Sequence, residues 1–240
     1  MEAVAPSVGE SAQVNVLVTA GESLGRYWGS VDYNVVDEEV TLDFLVPESY
    51  DAEPWKIHVK DPFDYFTEPI HSQLLEKCLR SAEPEGGKIM YDVDGRLVGN
   101  WFLEGTNGYR GADQDRYWAG HLSFAYDWID PSEIIVSIGT FIDSAKQFGV
   151  KGNAPDPAEV STETGVVVFE LVTFDYYVDE ALWDRTSFAR GIKCSNYDNQ
   201  VQGVLLCQLL EDQVVKVEVF PQASAASVSG FTENAQIYVR

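Results

Sequence analysis

The chain reads as a mainly β protein, an antiparallel β-barrel or β-sandwich that carries one short helix. Three observations predict this. Asp94-Gly95 lies between the apolar runs 86–93 and 97–103, and that dipeptide supplies the positive backbone angles of a tight type I′ hairpin turn. Comparable extended segments recur to the C-terminus, joined by turn-length connections and not by helical crossovers, which implies antiparallel pairing. Helical spacing is strong in one segment alone, 70–82.

In chain order, residues 14–18 alternate as Val-Asn-Val-Leu-Val and predict a first strand. Segments 26–36 and 40–46 predict two more around the acidic turn Asp37-Glu38-Glu39, with Leu42, Phe44 and Val46 on one face. A short extended piece, 55–59, precedes an aromatic loop, 61–69, that is bounded by Pro62 and Pro69. The helix over 70–82 rests on Ile70, Leu74, Leu75 and Cys78, and Pro84 stops it. After the central hairpin, a polar loop covers 105–116. Strands follow over 117–128 and 133–141, divided by Ile129-Asp130-Pro131-Ser132. Asn153-Ala154-Pro155-Asp156-Pro157 makes 149–164 a second loop. A β-branched strand covers 165–174, and 175–191 is aromatic and polar with one helical turn. A second hairpin pairs 202–210 with 213–220 about Glu211-Asp212, and 235–239 closes the chain. No linker or repeat divides 14–240, so one β-rich domain is expected there, preceded by a flexible spacer over 1–13.

Composition limits the partners. Of 240 residues 45% are apolar and 12% aromatic, ample for a buried core. The 39 acidic residues against 16 basic ones give a net charge of −23, which repels nucleic acid and anionic membranes while admitting a divalent cation. No run approaches the ~20 apolar residues of a membrane-spanning helix. The small and acidic residues of 1–13 resemble spacers that follow a removed leader or a lipid-anchored cysteine, so an extracytoplasmic setting is expected. Cys78, Cys194 and Cys207 lack metal-binding spacing. Cys194 and Cys207 could bridge neighbouring strands, although the run Val204-Leu205-Leu206-Cys207 suits a small buried thiol.

No cofactor motif is present, so the cofactor is left unknown: the chain lacks a phosphate-cradling glycine loop, a dinucleotide fingerprint and a Gly-x-Ser-x-Gly elbow. Asp92-Val93-Asp94-Gly95 starts like a calcium loop, but Arg96, Leu97 and Val98 supply no ligands, so it reads as a turn. Asp113 and Asp115, converging with Asp127, are the metal candidates. Strand alternation puts His121 on one face with Ser123, Ala125 and Asp127, which suggests a base oriented by Asp127. Glu104, Asp127 and Glu170 are candidate acids for glycoside hydrolysis, which needs two carboxyls in one cleft. Tyr65, Trp101, Tyr109, Tyr117, Trp118 and Trp183 fall on loops or strand ends, where rings stack on sugars or clasp an apolar ligand.

Gly99-Asn100-Trp101 resembles the Gly-x-Trp element of lipocalin-type calycin barrels. In that family the tryptophan packs against an arginine on or near the last strand, a part that the resemblance assigns to Arg240. It implies a calycin-like barrel from about residue 86 with an N-terminal β extension. The leading functional expectation is non-catalytic binding of a small or carbohydrate-like ligand at an aromatic-lined barrel end. A hydrolase built on the acids and His121, and a structural envelope-associated interaction module, are the alternatives.

Overall fold

The computed structural model describes residues 17–23, 25, 26 and 33–240, with the backbone alone at 197–199. The 1–13 spacer lies outside the described residues, as do most of the strands expected over 14–18 and 26–36. In the unit from Asn34 to Arg240, β1 (Val35–Val36) and β2 (Val59–Lys60) make a short antiparallel ladder, followed by the six-residue helix α1 (Ile70–Leu75). The strands β3 (Gly99–Leu103), β4 (His121–Tyr126), β5 (Ile134–Phe141), β6 (Ser144–Val150) and β7 (Val167–Val178) come next. They are followed by β8 (Ala181–Leu182), β9 (Lys193–Glu211), β10 (Val214–Pro221) and β11 (Gln236–Val239).

Apart from β8, which pairs on the end of β7, each of these strands pairs antiparallel with the next, and β11 returns to β3. Eight strands therefore close into an up-and-down barrel, which removes the open edges a sandwich would keep. Strand alternation fills the interior with Trp101, Phe124, Val136, Phe169, Leu205 and Val215, all fully buried. Each such side chain contributes roughly 1.5–3 kcal/mol. β7 and β9 run past the barrel wall. There Tyr176, Trp183, Ile192 and Cys194 form a second cluster with Ile129.

One end of the barrel is closed by the contact that the calycin resemblance implied. The Arg240 guanidinium lies 4.2 Å from the centre of the Trp101 ring. It donates to the carbonyls of Val93 (3.2 Å), Arg96 (2.6 Å) and Val98 (2.6 Å), while the Trp101 indole N–H donates to Leu97 O at 2.8 Å. Residues 93–98 are thereby bent across the barrel end, where the Leu97 and Val98 amides donate to Val160 and Pro157.

This arrangement corrects the central hairpin: Asp94-Gly95 does turn the chain, but only β3 becomes a strand, because the other arm serves Arg240. The Asp92 carboxylate accepts from the Asn100 amide at 3.1 Å and occupies the space a Cβ on Gly99 would need, so Gly99, at φ +123°, admits no side chain.

Other elements also differ from expectation. Segment 40–46 is irregular, and 55–59 forms the helical turn Pro54–His58 with β2 at its end; together they cover the outside of β3 through Phe44, Tyr50 and Phe102. The helix stops at Leu75, not at 82, because none of its residues is buried and the buried Arg80 draws the following chain into turns. Arg80 does so by donating to Ala82 O (2.9 Å), Pro84 O (2.8 Å) and Trp128 O (2.9 Å). β6 was not legible, since Ser144–Gln147 is exposed on both faces and shows no alternation. All three cysteines are free thiols, and Cys194 and Cys207 lie thirteen residues apart on the same strand β9, which rules out a bridge.

Arg240→Lys is expected to lower stability by about 2–3 kcal/mol in urea unfolding with an unchanged m-value, since an ammonium cannot serve three divergent carbonyls and cover an indole face. A change below about 0.5 kcal/mol would show that closure does not depend on the guanidinium.

Candidate functional site

The outward positions of β3 to β6 carry a second pattern. Asn100 pairs with Ser123, Ser123 with Ser137, and Ser137 with Gln147, so four polar side chains lie in one cross-strand row on the outer wall. With strands about 4.8 Å apart, the row is about 14 Å long. The Asn100 amide donates to the Tyr50 hydroxyl at 3.0 Å, and that of Gln147 to the Ser137 hydroxyl at 3.1 Å. The row forms part of the floor of a cleft of about 560 Å³, within the range of small-ligand sites.

An aromatic wall rises beside it. Phe102 pairs with His121 one register step from the row, and Tyr109 packs against both, with ring centres 6.3 and 4.8 Å away. Trp118 borders the same cleft and is 39% exposed. It sits in the helical turn Gln114–Gly120, which lies against β5 because position 139 is glycine: a Cβ there would be 1.8 Å from the Trp118 carbonyl oxygen. Thr140 fastens the same turn by donating to Ala119 O at 3.1 Å.

His121 is fixed by its Nε2, 2.8 Å from the Tyr109 carbonyl. A carbonyl only accepts, so Nε2 carries the proton and the neutral ring offers Nδ1 as an acceptor. Burial holds the imidazole pKa below its ordinary 6.5; the Tyr109 hydrogen bond opposes that shift, and the nearby Lys56 charge adds to it. Among the described residues no carboxylate borders the cleft and no hydrogen bond joins Ser123 to His121. The site therefore offers donors, acceptors and ring faces, with Lys146 the one lysine or arginine on its lining among the described residues. Among the described residues no nucleophile is paired to a base there.

The other residues singled out from the sequence lie apart from this cleft. Asp127, expected to orient His121, is at the far end of β4, about 20 Å along the strand. It accepts from the Ile129 and Asp130 amides and from the Tyr176 hydroxyl (2.6 Å), a fully used structural carboxylate. Glu104 is exposed just beyond β3. Glu170 accepts from the Ala225 amide and pairs with Lys151 at 2.9 Å, and the lysine lowers its pKa. The three acids thus occupy three separate places.

Asp113 caps the exposed turn by accepting from the Asp115 amide, and neither meets Asp127. Among the described residues no three His, Cys, Asp or Glu side chains gather as metal ligands. Of the six aromatics, Tyr109 and Trp118 border the cleft, and Tyr117 packs on both rings without lining it. Trp101 is buried inside the barrel, Trp183 is held in the second cluster with its indole N–H on Ser187 O (2.8 Å), and the exposed Tyr65 donates to Asp37.

Asn100, Phe102, Ser137 and Gln147 are new to the site. Ser137 did carry a signal, as the one polar residue within the run 134–138. No known protein family, curated protein or solved structure matches this chain.

Because native His121 binds protons less readily than the unfolded chain, its contribution to stability is full above about pH 6.5 and is lost as pH falls toward the lower native pKa. The melting temperature is expected to decline between about pH 7 and pH 5, and His121→Gln to flatten that decline. An unchanged slope in the variant would exclude His121 as its source.

Proposed function

We propose that this protein is a non-catalytic binding module for a neutral, polyhydroxylated ligand of the carbohydrate class, held in the cleft on the outer wall of β3–β6. The observation that carries this reading is the row Asn100, Ser123, Ser137 and Gln147 in the cleft that the exposed Trp118 borders. Sugar hydroxyls both donate and accept, as amides and serines do, and the apolar face of a pyranose stacks on an indole. Among the described residues no carboxylate lines the cleft, which leaves hydrolysis without its two acids, and Lys146 adds a donor for hydroxyl or ring oxygens. The site is thus on the barrel's flank and not at an aromatic-lined end. An extracytoplasmic setting belongs to this reading, supported by the composition of residues 1–13.

Isothermal titration with neutral oligosaccharides is expected to give one site per chain. Trp118→Ala and Ser137→Ala should each weaken it about tenfold or more at unchanged melting temperature. Absence of heat from every saccharide, or full binding by both variants, would overturn the assignment.

A further inference from the structure

The aromatic wall has a second side. A pocket of about 420 Å³ lies beyond it, bordered by Glu53, Tyr109, Arg110, Gln114 and Tyr117. Tyr109 borders both spaces. Tyr117 and Trp118 are consecutive, yet their rings stand at 84° with centres 5.1 Å apart, so Tyr117 borders the second pocket and Trp118 the first. The break that allows this is at Arg116, whose φ −136° and ψ 45° interrupt the helical turn just before the two rings. Tyr109 is itself held from behind, stacked on Tyr50 at 5.9 Å, with the Lys56 ammonium 4.4 Å from its ring centre. Lys56 is in turn paired with Glu53 at 3.1 Å, so the charge of Glu53 is matched. Among the described residues no hydrogen bond or ion pair engages the Arg110 guanidinium, which leaves its fork of N–H donors, with the Gln114 amide, free for ligand oxygens.

Resting on the saccharide reading above, we infer that the ligand is a chain and not a single sugar: a neutral oligosaccharide of three or more residues. It lies along the polar row, crosses the edge of Tyr109 and enters the second pocket, where Tyr117 meets a ring face and Arg110 and Gln114 meet hydroxyls. Three observations converge on this. The floor row alone is about 14 Å long, more than one pyranose covers. The two pockets share a wall of rings aimed to both sides. The net charge of −23 opposes sulfated or uronate-rich chains through long-range repulsion, and Lys146 and Arg110, one on each lining, then meet hydroxyls and not acid groups.

The test is isothermal titration of the full-length protein with glucose-, xylose- and mannose-based β-1,4-linked oligosaccharides of one to six residues. In the series that binds, affinity is expected to rise about tenfold from the disaccharide to the tetrasaccharide and then level off. Tyr117→Ala and Arg110→Ala should each remove that rise while leaving disaccharide affinity unchanged, which also shows that the variants are folded. Equal affinity for short and long ligands, with both variants silent, would overturn the two-pocket chain and leave the cleft reading standing. No binding by any member would overturn the cleft reading itself, and this inference with it.

Discussion

The contact between Arg240 and Trp101 is the constraint on which the rest of the fold depends. A buried guanidinium must find acceptors, and here three backbone carbonyls of 93–98 supply them while the indole face covers the cation. Asp92 and Asp94 add favourable negative potential, partly offsetting the desolvation that lowers the arginine pKa. The contact joins residues from the last position of the chain to a segment some 145 positions earlier. It shuts the barrel end, carries 93–98 across the opening and leaves β3 free to pair with β11 and β4.

Closure decides where function can reside. With Trp101, Phe124, Phe169 and Leu205 filling the interior, the barrel is a packed body and not a container. The polar alternate positions of β3–β6 are then displayed on a rigid outer wall, and loops anchored to that wall supply the rings. Gly139 is the point of attachment, because only a residue without a side chain lets the Trp118 backbone lie directly on β5. A site with its floor on strands and its wall pinned by such a contact is largely pre-formed, which reduces the ordering cost of binding.

The electrostatics of the cleft contrast with those of the chain. A protein of net charge −23 presents there a surface of amides, serines, a neutral imidazole, rings and the Lys146 ammonium. Its acids are used elsewhere: Asp127 holds a turn and Tyr176, Glu170 binds Lys151 and the Ala225 amide, and Asp113 caps a helical turn. The acids singled out from the sequence therefore serve the fold or the surface away from the cleft.

By itself the sequence determined that the chain is mainly β and that 133–141, 165–174, 202–210, 213–220 and 235–239 are strands, while the resemblance of Gly99-Asn100-Trp101 to a calycin element implied Arg240 as the partner of Trp101. The strand readings are local, since β-branched runs and turn dipeptides are visible without knowing the fold, and the Trp101–Arg240 contact came only from the family resemblance. It also singled out Tyr109, Tyr117, Trp118 and His121 as residues of interest. The tertiary structure alone decided that the sheet closes, that the first arm of the central hairpin is not a strand, and that Asp127 is remote from His121. It alone brought Asn100, Ser123, Ser137 and Gln147 into one row. Such a row depends on register between four strands, and register is set by closure and packing, so single strands read one at a time cannot disclose it.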